Sequence, residues 1–359
     1  MPQTLNRQQE TNRPLAQRIE AVVAEGLEPI AHDEIAGLGR SVRFARNGSE
    51  LPRGVIFFEY TGDLRAILRL RSINSLYLAR SYAVPRPKAL LGDEHFRGLL
   101  AQIDTARALH PQGSFASLYI SAAGSETAVM QRLRADLAAR CDLAEGAEDG
   151  DLFIRLRRTP SAEGWDALVR LAPRPLATRP WRVCNMEGGL NGAVAHAMNL
   201  LTRPEPRDNY LNIGCGSGTL LIERLLHGPA QRAIGCDISP EALRCAALNI
   251  AAAQLTNRSE LHNWDGTVLP LPEASIDVIT SDLPFGHLIG SHTENLALYP
   301  ALLREAARVA RPTARCAILS HEVHLLERLL ADSTVWSIEE IIRVSLGGLY
   351  PRIFLLRRS

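Results

Sequence analysis

The stretch Leu211-Asn212-Ile213-Gly214-Cys215-Gly216-Ser217-Gly218-Thr219 decides the fold. A short apolar run ends in three glycines at alternate positions, and a helical pattern starts at once behind them. Glycine lets the backbone turn sharply and lets a ligand approach with no Cβ in the way. Such a turn between strand and helix predicts an open parallel sheet with a ligand at the strand end. Several kinds of nucleotide use turns of this type, and a purely structural turn has the same composition, so the turn alone leaves the ligand open.

Outward from the turn, strand and helix alternate. Residues 210–213 are the first strand and 220–226 a helix, and residues 233–236 form a second strand running into Asp237. Ser239 and Pro240 open another helix with a capping hydroxyl and a proline at its first position, reaching residue 254. Residues 261–264 and 276–281 are the next strands, 293–309 is a long amphipathic helix, and 316–319 is a fifth strand. Residues 335–344 and 350–356, either side of Gly347-Gly348, read as an antiparallel hairpin. Five parallel strands closed by a hairpin resemble the Rossmann-like sheet of class I methyltransferases, so the expected fold class is α/β.

The N-terminal half reads less regularly. Residues 15–38 are expected to be helical, 43–60 strand-rich and 62–75 helical. Strands are expected at 115–121, 151–157 and 165–171, with a helix at 125–139. A proline- and arginine-rich stretch, residues 172–180, then marks a boundary. The opening residues 1–13 are polar, lack the apolar run of a secretory signal and are expected to be a disordered tail. At 359 residues, two or three domains are expected.

With 46% hydrophobic and 22% charged residues the composition is that of an ordinary globular protein, and no run is long enough to span a membrane. A net charge of +1 does not by itself point to nucleic acid, although Lys88 is the only lysine and arginine suits phosphate. The six cysteines (Cys141, Cys184, Cys215, Cys236, Cys245 and Cys316) show no Cys-x-x-Cys pair and no zinc spacing. They are expected to be reduced thiols in a cytoplasmic protein. His287, His292, His321 and His324 lie near strand ends without a metal-binding pattern, so no metal is expected.

The chemistry lies at the strand ends. Asp237, after the second strand, is placed to accept both hydroxyls of a ribose, and Asp265 after the third to accept from an adenine amine. Asp282-Leu283-Pro284-Phe285 follows the fourth. An acid, any residue, proline and an aromatic suit methylation of an exocyclic base amine, whose lone pair is delocalised into the ring. An oxygen of Asp282 and the carbonyl of Leu283 accept the two amine hydrogens and aim the lone pair; Pro284 fixes the backbone and Phe285 stacks a base taken out of its helix. Positioning should then supply most of the rate.

Residues 281–299, with Leu302, Leu303, Glu305, Arg308 and Val309, are very similar to the catalytic domain of the THUMP-containing tRNA guanine-N2 methyltransferases. Residues 124–143, 151–157 and 172–182 resemble the THUMP domain and exit linker of that family, and residues 27–31 the start of its ferredoxin-like domain. The resemblance implies a ferredoxin-like domain over 14–100, an RNA-binding THUMP domain over 101–178, and linker plus methyltransferase domain over 179–359. It implies methyl transfer from S-adenosylmethionine to N2 of a guanosine in tRNA, in the acceptor stem, by a cytoplasmic monomer. The cofactor would lie against Asn191, Asn212, Gly214, Cys215, Gly216, Ser217, Gly218, Thr219, Asp237, Ile238, Asp265 and Gly266, and RNA against Arg132, Arg155, Arg179 and Arg182. Two alternatives stay open: the same chemistry on another amine (ribosomal RNA guanine N2, or adenine N6), and a non-catalytic RNA-binding protein on a decayed scaffold.

Overall fold

The computed structural model describes residues 16–45, 53–146, 150–159, 163–284 and 292–359. The expected tail, Phe285 and His287 lie outside the described residues. The chain forms two compact units, one of residues 1–23 and 31–176, the other of residues 24–30 and 177–359.

In the first unit the strands are β1 (Gln17–Val22), β2 (Val42–Phe44), β3 (Val55–Tyr60), β4 (Ser75–Tyr82), β5 (Ser117–Ala122), β6 (Ala144–Glu145), β7 (Leu152–Arg158) and β8 (Trp165–Arg170). They form one eight-stranded sheet in the order β2-β3-β1-β4-β8-β7-β5-β6. Helices α2 (Leu64–Ile67), α3 (Asp93–Arg107) and α4 (Ala128–Cys141) accompany it, while α1 (Glu28–Ala36) begins in the other unit.

Residues 15–38 are therefore not one helix. The segment Gln17–Val22 is an inner strand between β3 and β4, burying Ile19 and Ala21, while Glu20 is buried against Arg157. A strand covered on both faces loses the alternation that would have marked it. Gly26 then breaks the chain at a φ of +96°, and the helix starts only at Glu28. Of the helix expected at 62–75, one turn forms, capped by Asp63, and β4 takes the end of that stretch.

The second unit carries α5 (Gly192–Leu201), β9 (Asn209–Ile213), α6 (Thr219–His227), β10 (Arg232–Asp237), α7 (Pro240–Ala252), β11 (Glu260–Asn263), β12 (Ile276–Asp282), α8 (His292–Val309), β13 (Ala310–Ser320), α9 (Val323–Ala331), β14 (Trp336–Arg343) and β15 (Arg352–Arg358). Strand order is β11-β10-β9-β12-β13-β15-β14. The first five are parallel, and β15 runs antiparallel between β13 and β14. The order reverses between β9 and β12, so a crevice opens at the carboxyl ends of these strands, where ligands bind in sheets of this kind. The α/β class with its parallel sheet and closing hairpin is as the sequence indicates.

One expectation about the thiols is corrected. Cys184 and Cys245 form a disulfide, with Cα atoms 5.4 Å apart at a sequence separation of 61. Cys141, Cys215, Cys236 and Cys316 are free and buried. Asn249 reinforces this join, accepting from Cys184 N at 2.9 Å and donating to Cys184 O at 3.0 Å.

Candidate active site

A cavity of about 450 Å³ occupies the crevice. Its floor is the turn from β9 to α6. Gly214, Gly216 and Gly218 have φ of +62°, +53° and +82°, in the left-handed region that favours glycine. A Cβ on Gly214 or Gly216 would meet nothing within 4 Å, so the turn faces open space. The turn is held from β10. Gly216 N donates to Asp237 Oδ2 and Ser239 N to Oδ1, both at 2.9 Å, and Cys215 N donates to Cys236 O. Cys215 lines the cavity, but burial pushes its thiol well above the ordinary range, leaving a small packed residue rather than a nucleophile.

One side of the cavity comes from Ile238, Ser239 and the end of β11. Asp265 Oδ1 accepts from Thr267 N at 2.8 Å and Thr267 Oγ1 at 2.7 Å, which holds its carboxyl below the usual value. Trp264 lies flat on His262 with ring centroids 4.0 Å apart. At Gly266 a Cβ would come within 2.6 Å of Ile213 Cγ2 and 2.8 Å of Leu302 Cδ2, so only glycine lets the wall close here.

The opposite side is the end of β12. Asp282 is partly exposed as a residue, but its Oδ1 is buried with no hydrogen-bond partner. Burial pushes its carboxyl up to about 7. Leu283 N donates to Leu319 O, and the Pro284 carbonyl accepts from Asn295 Nδ2 at 3.1 Å and Tyr299 Oη at 2.9 Å. Both donors lie on α8 and are fully buried. Sequence reasoning missed them, although a polar pair four residues apart on the buried face of an amphipathic helix is a readable signal.

Most of the expected cofactor residues thus meet around one cavity, lined by Gly214, Cys215, Gly216, Ser217, Thr219, Asp237, Ile238, Asp265, Gly266, Asp282, Leu283 and Pro284. Gly218 sits one step behind as the cap of α6. Two of the expected residues stand outside this lining. Asn212 is fully buried inside the sheet, donating to Thr280 O at 3.1 Å, and does not line the cavity. Asn191 caps α5, accepting from Ala193 N and Val194 N. Met186, Glu187, Gly188 and Gly189, just before it, form the cavity rim instead.

The arginines expected on RNA divide. Arg179 is 7% exposed and its Nε donates to the buried Glu223 at 2.9 Å, so its charge is spent inside the domain. Arg182 Nη2 donates to Leu190 O at 2.6 Å and Thr219 Oγ1 at 2.9 Å, bracing two residues of the cavity wall. Both thus make hydrogen bonds within the domain. In the first unit, Arg132 is exposed beside Asp136, and Arg155 stands 5.1 Å over the Tyr77 ring.

Among the described residues, no group of three or more His, Cys, Asp or Glu is placed to hold a metal. Among them, too, no helix is long and apolar enough to cross a membrane.

A parallel sheet with this strand order, a glycine turn at its reversal point and an acid at each neighbouring strand end is the fold of class I methyltransferase domains. Residues 179–352 match the model of the RMKL-like methyltransferase domain family. Over 185 residues the chain is 34% identical to a mouse protein named tRNA (guanine(6)-N(2))-methyltransferase THUMP3. That match covers 47% of this chain and 36% of the relative, so the chain spans little more than a third of that protein's length. A Methanocaldococcus jannaschii protein named tRNA (guanine(6)-N2)-methyltransferase is 24% identical over 93% of this chain and 98% of its own. The crystal structure of TrmN from Thermus thermophilus superposes with a TM-score of 0.74 at 23% identity, covering 96% of this chain and all of that one. Enzymes of this class take their methyl group from S-adenosylmethionine.

Proposed function

We propose that the protein transfers a methyl group from S-adenosylmethionine to the exocyclic N2 of a guanosine in tRNA, in the acceptor stem. The observation that carries this reading is the end of β12, where an unpartnered carboxylate oxygen and a clamped backbone turn face the cofactor cavity. The names of the mouse and archaeal relatives support guanine N2 and tRNA.

The residues present fit the cofactor. The open glycine turn accepts its methionine part, Asp237 the ribose hydroxyls, and Asp265 with Trp264 the adenine. When bound, the cofactor supplies an electrophilic methyl on a sulfonium. Asp282 Oδ1 accepts one hydrogen of the base amine and the Leu283 carbonyl the other, turning the nitrogen lone pair toward the methyl. Asn295 and Tyr299 hold Pro284 so that these acceptors keep their direction. The Asp282 carboxylate then takes the proton released when the new N–C bond forms. Phe285 gives the stacking face for the extruded base.

In the first unit we assign residues 14–100 to a ferredoxin-like domain and 101–178 to a THUMP domain gripping tRNA, with Arg132 and Arg155 among its contacts. The protein acts as a cytoplasmic monomer.

Incubation with unfractionated tRNA and labelled cofactor, followed by digestion to nucleosides, tests the reading. N2-methylguanosine is the expected product. N6-methyladenosine would move the target to the other purine amine, and no product from any RNA, with no cofactor binding, would leave a scaffold without chemistry.

Asp237→Ala is expected to weaken S-adenosylhomocysteine binding by about 10- to 100-fold, the cost of a charged hydrogen-bond acceptor. Calorimetry measures it directly, and an unchanged affinity would put the ribose elsewhere.

A further inference from the structure

Beside the active site lies a second concavity, about 560 Å³, that the mechanism above does not use. It is bordered by the first residue of α8, the turn after β13, helix α9, and the facing ends of β14 and β15. Register places it on the same sheet edge as Asp282. Asp282 pairs with Leu319, Ser320 with Arg352, and Arg352 with Arg343. Two to three inter-strand steps, about 10–15 Å, therefore separate Arg352 and Arg343 from the catalytic carboxylate.

The two sites share supports. Tyr299 Oη, which holds Pro284, also meets Ser320 Oγ at 3.1 Å, and Ser320 Oγ accepts from Glu322 N at 3.0 Å. Glu322 in turn contacts His292 Nδ1 at 2.9 Å. The lining is basic and partly aromatic. Arg328, Arg343 and Arg352 line it with His292, His321, His324 and the carboxylate Glu322, and a second carboxylate, Glu327, stands 3.5 Å from His324. Arg352 is paired with Glu327. Arg328 and Arg343 are exposed and have no carboxylate partner among the described residues. The Arg343 guanidinium lies 4.2 Å from the ring centroid of Tyr350, a residue that is 51% exposed.

Given RNA methylation as proposed above, on which this rests, we infer that this groove holds the RNA strand adjoining the target nucleotide. Arg328 and Arg343 contact its phosphates, and Tyr350 stacks a neighbouring base. Exposed arginines without carboxylates, converging on a concave face, match a polyanion, and an aromatic ring under a guanidinium is a platform for an unpaired base. A base taken out of its helix needs its flanking backbone held, and this basic surface lies two to three strands along the sheet from the amine site.

The test is tRNA binding by fluorescence anisotropy across a salt series, with Arg328→Glu, Arg343→Glu, their combination and Tyr350→Ala. The double variant is expected to bind at least about 10-fold more weakly. Its slope of log affinity against log salt should fall by about 0.7–0.9 per lost phosphate contact. Affinity for S-adenosylhomocysteine and thermal midpoint should stay at wild-type values, which shows that the domain is intact, and Arg328→Lys with Arg343→Lys should restore the slope. If the wild type methylates tRNA and the double reversal leaves affinity and slope unchanged, the groove assignment is overturned while the function stands. A surface kept for a protein partner would give that same result. If the wild type methylates no RNA, the function falls and the groove assignment with it.

Discussion

Asp282→Ala is expected to lower methyl transfer by about 10²–10³-fold or more while leaving S-adenosylhomocysteine affinity within a few-fold. The carboxylate lies at the edge of the cavity opposite Asp237 and Asp265, and its Oδ1 has no partner inside the protein. A buried acceptor left unpartnered costs stability, and it is explained if the amine of the bound base completes it. Its pH behaviour follows from the same burial. The carboxyl titrates near 7 instead of its ordinary 3.8, and only the ionised form accepts from both the amine and its proton. kcat/KM for tRNA should therefore rise as pH passes through about 7 and level off above it. The stability contribution runs the other way. A folded-state value above the unfolded one means that the folded protein holds this proton more tightly. The contribution is full below about 3.8 and is lost as pH rises through about 7. Asp282→Asn should remove both dependences, abolishing the rise in activity and flattening stability between these limits. Activity of Asp282→Ala equal to wild type, measured with tRNA and labelled cofactor, would end the assignment of this residue.

Legibility in the sequence followed how local the determining physics was. The turn from β9 to α6, the acid at the end of β10 and the cap at Ser239 are set by a few adjacent residues, and they stand where the sequence places them. Strand β1 was read as helix because burial on both faces erased its alternation, and its identity is fixed by pairing with β3 and β4. The disulfide joins residues 61 apart with no spacing signature, so only the packing of the linker on α7 reveals it. Within the site, chemistry was legible by residue type and direction was not. Asn212 belongs to the right strand but is buried among sheet hydrogen bonds, and Asn191 spends its oxygen on two helix amides. The linker posed the same problem. Its arginines and prolines mark a boundary in the sequence, yet Trp181 is buried in a cluster with Tyr210, Leu221 and Ile222, and Arg179 and Arg182 beside it are drawn inward.

Those inward arginines make Glu223 a position where substitution should cost much stability. Glu223 is on α6, fully buried, with Arg179 Nε 2.9 Å from its Oε1 and His196 Nδ1 3.6 Å from its Oε2. An ion pair held away from water is weak evidence of net stabilisation, since both charges lost their hydration. Breaking it is another matter. Glu223→Ala strips the buried Arg179 of this carboxylate, and about 3–5 kcal/mol of stability should go with it. For a unit of this size that is a fall in thermal midpoint of roughly 6–20 °C. Glu223→Leu combined with Arg179→Leu removes both charges and should recover much of the loss, because neither charge then stays in the interior without the other. The loss should also reach the cofactor site. Arg182, whose pKa burial lowers against the opposing field of Glu223, joins the Leu190 carbonyl to the Thr219 hydroxyl across the cavity wall. Cofactor affinity should therefore fall in Glu223→Ala even at temperatures where the domain remains folded. Scanning calorimetry of the single and double variants, with and without S-adenosylhomocysteine, separates the two effects. A single variant that melts with the wild type would mean that Arg179 finds water or another acceptor once its carboxylate is gone, and that this interior pair is not what fixes the linker over α6.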